Sequence, residues 1–492
     1  MKIPSTFIIF LAACLLLLIH HWCYYYGHFG FDDLYYARLA KRLFDGQIDW
    51  ADHYSYRIVP LAVTGLSYRL FGINDTASAL PGLLCSVGIL YLLYRHFREE
   101  QWWQLLLACG LYFSLSWNLF YSDKLMPDLY VSCFTFAAWS LVMGSRSGSF
   151  GRKLKVAVPC LAAGLVFLAF NSKGTVILAV PIFGYYAVRD LLIKKYRFWL
   201  VFGVTSAALL LLYGGISAGA AGSPLARFSA IGANHYLNDC SYDQLPTAHL
   251  ISRLTDGFWT LIVDSLLVLH LAIAVAGLIL VGWLNPGGGR RTVEHVFAVA
   301  IIFLSIDFMS ISLTSYNPIC LDPRHILLFS PMLCVLSVRI IGGLVPARPR
   351  YSWLPYLVAV VCTILLLIPA YRQAEYGKSI GYAEVQRSYR RVLTELPRPA
   401  RIYGSGAAVN YGEYYTGFAG EGSGLVFGRY EELPVDCGHD SVPAYVIQNW
   451  YVDWHDGLDP SRADSLVRAR GYQRLPTAYT DERFRVERLR CE

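Results

Sequence analysis

Two adjacent carboxylates, Asp32 and Asp33, follow the first long apolar run of this 492-residue chain, in GHFGFDDLYYARLAKRLFDG. Acids at the end of a membrane-crossing stretch, set among aromatic and basic residues, mark chemistry or ion handling. Further charges recur where other apolar runs begin or end. They are Arg57; Asp123, Lys124 and Asp128 in YSDKLMPDLY; Lys173 in the short turn NSKG; and Asp322, Arg324 and His325 in NPICLDPRH. A pocket that joins carboxylates to separated cations suits an anionic phosphate ligand together with a proton acceptor.

Each of these residues also has a plainer role to be weighed. Lys124 and Arg57 can snorkel to an interface. Lys173 has less freedom, because its turn keeps the side chain near helix ends, and phosphate or carboxylate contact is expected there. Arg324 and His325, beside Pro323, can cap the helix they open. The aspartate pair can be a helix N-cap with a solvated neighbour, and Asp128 can be a charge at a helix N-terminus. His20 and His21 read as interfacial side chains, and the tyrosines and tryptophans as interfacial belt and core.

The elements that must position these residues follow from composition. The chain is 55% hydrophobic and 16% charged, with mean hydropathy +0.41, whereas a soluble domain carries about 25% charge. A polytopic membrane protein is expected. Its net charge of +7 lies in short loops between apolar runs, which excludes a nucleic-acid patch. A crossing helix needs roughly 17–25 mostly apolar residues. Spans are expected near 5–26, 77–97, 103–121, 127–144, 155–171, 174–192, 198–218, 258–283, 294–315, 325–345 and 353–371, eleven in all. No small-residue cleavage site follows the first run, so it reads as an uncleaved helix.

Lys and Arg set the orientation. Alternate loops carry Arg95 and Arg98; Arg146, Arg152, Lys153 and Lys155; Arg189, Lys194, Lys195 and Arg197; Arg290 and Arg291; Arg348 and Arg350. The opposite short loops hold single cations, Lys124, Lys173 and Arg324. The positive-inside rule then places 27–76, 219–257 and 372–492 outside. Within 27–76, residues 31–45 and 58–71 suit interfacial helices. Beyond 371 the sequence reads as a small extracytoplasmic α/β domain: a helix over SIGYAEVQRSYRRVLTEL, strands at ARIYG and AYVIQ, and a helix in DPSRADSLVRARG stopped at Gly471. Of the 12 cysteines, Cys240, Cys320, Cys437 and Cys491 fall outside, where pairing is permitted and Cys437–Cys491 is the expected pair. No spacing suggests a structural metal.

The segments DDLYYARLAKRLFDG, RIVPLAVTGLSYRLFG, DKLMPDLYVSCF, SKGTVILAVP and DPRHILLFSPML resemble, in order, motifs of polyprenyl-phosphate-dependent glycosyltransferases of the GT-C superfamily. The similarity is to the branch holding protein mannosyltransferases and lipid A aminoarabinose transferases, and it covers the membrane half. The resemblance implies an all-α polytopic membrane fold with juxtamembrane helices and an extracytoplasmic C-terminal domain. It also implies inverting transfer of a sugar from an undecaprenyl-type phosphate to a lipid, glycan or protein acceptor. Asp32 stands at the first acid of the family's Asp-Glu pair, the general base, and Asp33 stands where Glu is commoner. His325 stands where Tyr is commoner. Asp32 and Asp33 are thus the catalytic candidates, with Arg57, Lys124, Lys173, Arg324 and His325 for the donor phosphate, and Asp128 as an acceptor or structural acid. No nucleotide-binding glycine loop appears, and a divalent metal is compatible but not demanded. The expected location is the inner membrane, with the site facing the periplasm. Three rivals stay open, the first of them, within the class, a protein O-mannosyltransferase. A secondary transporter or lipid flippase would place charges mid-span, as only Asp307 does here; a scaffold would not need Asp32.

Overall fold

The computed structural model describes residues 4–148, 150–151, 154–233, 239–284, 290–312, 315–344, 357, 360–361, 364, 382–434, 442–449, 460–477, 479–480 and 485–491. Helix α1 is Ser5–Tyr24, and α2 and α3 are Asp32–Phe44 and Ile58–Phe71. These last two are the helices expected over 31–45 and 58–71. In α2 the acids Asp32 and Asp33 occupy the first turn and Lys41 and Arg42 the last, each complementing the helix dipole. The two helices pack closely at Gly65, where a Cβ would meet Ala40 O at 2.7 Å, so only glycine fits.

The apolar body follows as α4 Asp75–Phe97, α5 Trp102–Ser114, α6 Ser116–Phe120, α7 Pro127–Ser147, α8 Ala157–Ser172, α9 Val180–Leu192 and α10 Arg197–Ala221. Then come α11 Ala226–Ala233, α12 Thr247–Ser252, α13 Phe258–Asp264, α14 Val268–Leu284, α15 Arg290–Phe308, α16 Pro323–Ile326 and α17 Ser330–Leu344. Helices thus stand at ten of the expected spans, several of them interrupted. The 103–121 run breaks at Leu115, and the 258–283 run bends by 96° between α13 and α14. The 294–315 helix ends at Phe308, and the 325–345 helix starts only at Ser330. Among the described residues four helices are long and apolar enough to cross a membrane, or five if the bent pair is one span. Most of the 353–371 run lies outside the described residues.

The two helices and two strands expected in the tail are present, with one further helix and three further strands among the described residues. Helix α18, Tyr382–Glu395, leads to strands β1 Ala400–Gly404, β2 Leu425–Arg429, β3 Ala444–Gln448, β4 Tyr472–Pro476 and β5 Arg485–Cys491. Helices α19, Gly406–Tyr415, and α20, Pro460–Ala469, intervene. The sheet order is β2-β1-β3-β5-β4, with β1 parallel to both neighbours and β5 antiparallel to β3 and β4. Gly471 follows α20 at φ +75°, the left-handed stop expected of it.

The tail shares one core with α2 and α3: Leu34, Tyr36 and Leu61 pack in the same cluster as Tyr389, Ile402, Tyr411 and Tyr414. Polar ties reinforce it. Tyr411 donates its hydroxyl to His28 O at 2.5 Å, Asn410 Nδ2 donates to Gly30 O at 3.0 Å, and Arg38 pairs with Glu413. Gly30, at φ +89°, lies against the Tyr411 ring, 2.5 Å from where a Cβ would be. Cys240 and Cys320 form a disulfide; the expected Cys437–Cys491 pair lies outside the described residues through Cys437.

Candidate functional site

Adjacent positions on an α-helix point about 100° apart, and α2 uses this to give its two acids different surroundings. Asp33 is fully buried, with Oδ2 accepting from the Phe29 N–H at 2.6 Å and Oδ1 from the Phe31 N–H at 3.1 Å. His28 Nδ1 stands 3.4 Å from the same Oδ2. This carboxylate closes the turn into α2. Asp32 faces the other way and is partly open, accepting from the Tyr54 hydroxyl at 3.0 Å and lying 3.7 Å from Arg324 Nη1.

Arg324 is set by its own helix start. The Asp322 carboxylate caps it by accepting the Arg324 backbone N–H at 2.9 Å, and the guanidinium Nε lies 2.9 Å from the other Asp322 oxygen. Burial opposes the guanidinium charge, yet Asp322, Asp128 and Asp32 push its pKa above the ordinary value. Arg57 packs over the rings of Tyr54 and Tyr36, at 4.5 and 5.2 Å. Burial lowers its pKa to about 10, against the pull of Asp32 and Asp128 and with help from Arg227 and Arg324.

Lys173 sits at the break between α8 and the short 3-10 turn Gly174–Ala179. Its Nζ donates to Asp128 Oδ1 at 2.7 Å and stands 3.4 Å from His325 Nε2. Burial lowers its pKa to about 8; Asp128 resists, while Arg324 and Arg57 reinforce the fall. His325 Nδ1 lies 2.9 Å from the Cys320 carbonyl. A carbonyl only accepts, so Nδ1 carries the proton and Nε2 is left to accept from Lys173.

Arg227, on α11, joins this group and was not among the sequence candidates. It is 3% exposed, its guanidinium lies 4.1 Å from the Phe170 ring centre, and it reaches to 3.9 Å from a Cβ built on Gly174. Its Nη1 has no hydrogen-bond partner among the described residues, and neither has Asp128 Oδ2. Arg57, Lys173 and Arg324 thereby act on one another and on the carboxylates Asp32, Asp128 and Asp322, and Arg227 adds its charge beside Arg57. Excess positive charge with unused donors is the electrostatic form of an anion site.

Lys124 is engaged elsewhere. Its Nζ donates to Asp123 Oδ1 at 2.7 Å above the Tyr25 ring, and Asp123 Oδ2 takes His21 Nδ1 at 2.8 Å. The pair ties α1 to the segment before α7. Asp307 is held by Arg253, whose Nη1 donates to its carboxylate at 2.6 Å and whose other nitrogens reach the carbonyls of Ile306 and Ile319. Among the described residues no group of three or more His, Cys, Asp or Glu is arranged to hold a metal ion. Against Ile58, the residue after Arg57, lies a cavity of about 280 Å³ walled also by Trp50, Val59, Phe167, Leu212 and Ile216, without a charged group.

No protein-family model matches the chain, and no curated protein is similar to it by sequence. Solved structures are. ArnT from Cupriavidus metallidurans bound to undecaprenyl phosphate superposes with a TM-score of 0.54 at 14% identity, over 99% of this chain and 98% of that one. The same protein in its apo state gives 0.55 at 13% identity, over 98% and 97%. A weaker likeness, TM-score 0.44 at 11% identity over 99% and 74%, is to the oligosaccharyltransferase AglB from Archaeoglobus fulgidus in complex with an inhibitory peptide and a dolichol-phosphate. Over nearly its whole length the chain shares its fold with ArnT.

Proposed function

We propose that the chain is a membrane glycosyltransferase that moves a sugar from a polyprenyl phosphate, of the undecaprenyl type, to an acceptor hydroxyl or phosphate, with inversion. The observation that carries this reading is the cluster of cations around three carboxylates, with Arg227 Nη1 and Asp128 Oδ2 unpartnered among the described residues. Such a cluster is short of one anion. A donor phosphate would complete it, and the uncharged cavity against Ile58 suits an isoprenoid chain. The likeness to a protein solved with undecaprenyl phosphate supports the same donor class.

In this reading Asp32 is the general base. The acceptor oxygen forms its bond to the anomeric carbon while Asp32 takes the acceptor proton. The bond from that carbon to the phosphate oxygen breaks, and its electron pair leaves with the polyprenyl phosphate. Lys173, Arg324, Arg57 and Arg227 meet the charge that grows there. His325 orients Lys173, Asp128 holds it, and Tyr54 aims Asp32. Asp33 shapes the loop instead of reacting, and Lys124 is structural. Eleven spans, an extracytoplasmic domain over 372–492 and a periplasmic site in the inner membrane complete the proposal. The Cys240–Cys320 disulfide supports an oxidising side for the loop that bears Arg324. A transporter is disfavoured, since Asp307, expected mid-span, stands at the end of α15 and is held by Arg253.

The test is transfer by purified protein supplied with a panel of polyprenyl-phosphate sugars. Asp32→Asn should cut turnover by about 10²-fold or more, as removal of a general base does, while undecaprenyl phosphate still binds. Asp33→Asn should act mainly on thermal stability. Full turnover in the Asp32 variant removes the base, and wild-type protein that neither binds nor turns over any donor ends the transferase reading.

A further inference from the structure

Five tyrosines lie in the segment 27–76, and four of them spend their hydroxyls. Tyr35 donates to Asp52 Oδ2 at 2.5 Å, Tyr54 to Asp32 Oδ1 at 3.0 Å and Tyr56 to the Trp50 carbonyl at 2.9 Å. The Tyr68 hydroxyl meets Ser78 Oγ at 2.8 Å. Tyr36 is the exception. It is 2% exposed, and its hydroxyl has no hydrogen-bond partner among the described residues.

Burying a hydroxyl without a partner costs stability, because the group gives up its bonds to water and gains none. The surroundings supply no reason to bear that cost. Tyr36 packs in the cluster that holds Leu34, Leu39 and Leu61, where a phenylalanine would bury the same ring without a stranded oxygen. A hydroxyl retained on such terms is placed for a bond that a ligand completes.

Its place in α2 indicates which ligand. Positions four apart share a helix face, so Tyr36 stands one turn beyond Asp32 on the side that carries the proposed base. The Arg57 guanidinium lies over its ring, 5.2 Å from the centre. We propose that the Tyr36 hydroxyl donates a hydrogen bond to a phosphate oxygen of the polyprenyl phosphate, beside Arg57. This rests on the transferase reading and deepens it, by adding an uncharged donor to its cations. The hydroxyl keeps its proton and takes no part in the transfer to Asp32. A bond of this kind to an anion is stronger than one between neutral groups. It also holds the phosphate without adding to the repulsion among Arg57, Lys173 and Arg324.

Two measurements on the full-length protein in nanodiscs test this: the dissociation constant for undecaprenyl phosphate, and the melting temperature without it. Tyr36→Phe removes the hydroxyl and leaves the ring. It should weaken undecaprenyl phosphate binding by about tenfold or more, the loss of one hydrogen bond to a charged group. Its melting temperature should stay at or above the wild-type value, since the stranded oxygen is gone. Tyr68→Phe, which breaks the pair with Ser78, should do the reverse, melting lower while its affinity stays within about twofold. A hydroxyl with a purely structural role would not separate the two readouts in this way. Wild-type affinity in Tyr36→Phe, or a melting temperature that falls together with affinity, would overturn the proposal. Wild-type protein that does not bind undecaprenyl phosphate would bring down the transferase reading, and the role of Tyr36 with it.

Discussion

In the proposed function, Lys173 is the residue whose protonation bears most directly on donor binding. Burial, reinforced by Arg324 and Arg57, brings its pKa down to about 8, and a phosphate placed against it would raise that value again. The protonated form is therefore the one that binds. Affinity for undecaprenyl phosphate should be full below about pH 8 and fall as pH rises through that value, by up to about tenfold per pH unit until the bound-state pKa is passed. Lys173→Arg should abolish this slope, because a guanidinium stays charged. A titration of dissociation constant against pH that is flat for wild-type protein would show that Lys173 does not meet the phosphate.

The same residues show what was readable beforehand. Lys173 was legible because a turn as short as NSKG leaves its side chain nowhere to go but the helix ends. The choice between Asp32 and Asp33 was legible in principle, since neighbouring helix positions cannot face one site, but only packing decides which of them turns inward. Lys124 carried its own warning in the adjacent Asp123, the acid it pairs with. Arg227 carried no signal: it lies in a long loop without periodicity, and its relation to Gly174 exists only in three dimensions.

At the scale of elements, the loop from Phe308 to Arg324 is fixed by two fasteners. One is the Cys240–Cys320 disulfide and the other is Arg253, which donates to the Asp307 carboxylate and to the carbonyls of Asp307, Ile306 and Ile319. Cys320 also supplies the carbonyl that fixes the tautomer of His325. Arg253→Met strands a buried carboxylate, a loss of roughly 3–5 kcal/mol when a buried pair is broken. It should lower the melting temperature in detergent and weaken donor binding together, while Cys240→Ser with Cys320→Ser should do so less. Wild-type values of both quantities in Arg253→Met would show the fastener to be idle. Helices α2 and α3 and, in the tail, α18, β1, β3 and α20 were legible from period and stop signals, whereas α19, β2, β4 and β5 were not read. The break at Leu115, the bend at Leu266 and the early end of α15 were not, because an apolar run carries no mark of where tertiary packing interrupts it.

At the scale of the molecule, the tail and the membrane body meet around His28. This ring is buried, with Nδ1 3.4 Å from Asp33 and Nε2 3.1 Å from the Tyr414 hydroxyl and 3.6 Å from Asp75. Arg390 of α18 pairs with the same Asp75. Burial works against a charged His28, but Asp33 and Asp75 outweigh it and its pKa is raised. A raised pKa means stability that is whole below the unfolded value of about 6.5 and lost as pH climbs through the folded one. The melting-temperature gap between wild type and His28→Asn should therefore be widest in mild acid and close toward alkaline pH. A gap independent of pH would mean that the ring is neutral in the folded protein.

The tie between Gly30 and the α19 helix has a consequence for biogenesis. Asn410 and Tyr411 grip the backbone just ahead of Asp32, and Arg38 of α2 leans on Glu413 of α19. A nascent chain still on the ribosome, with every apolar helix already inserted but residues 406–415 not yet emerged, has nothing to grip the turn that leads into its proposed base. If the proposed function holds, catalytic competence then waits for residues 406–415, and copies without them stay inert.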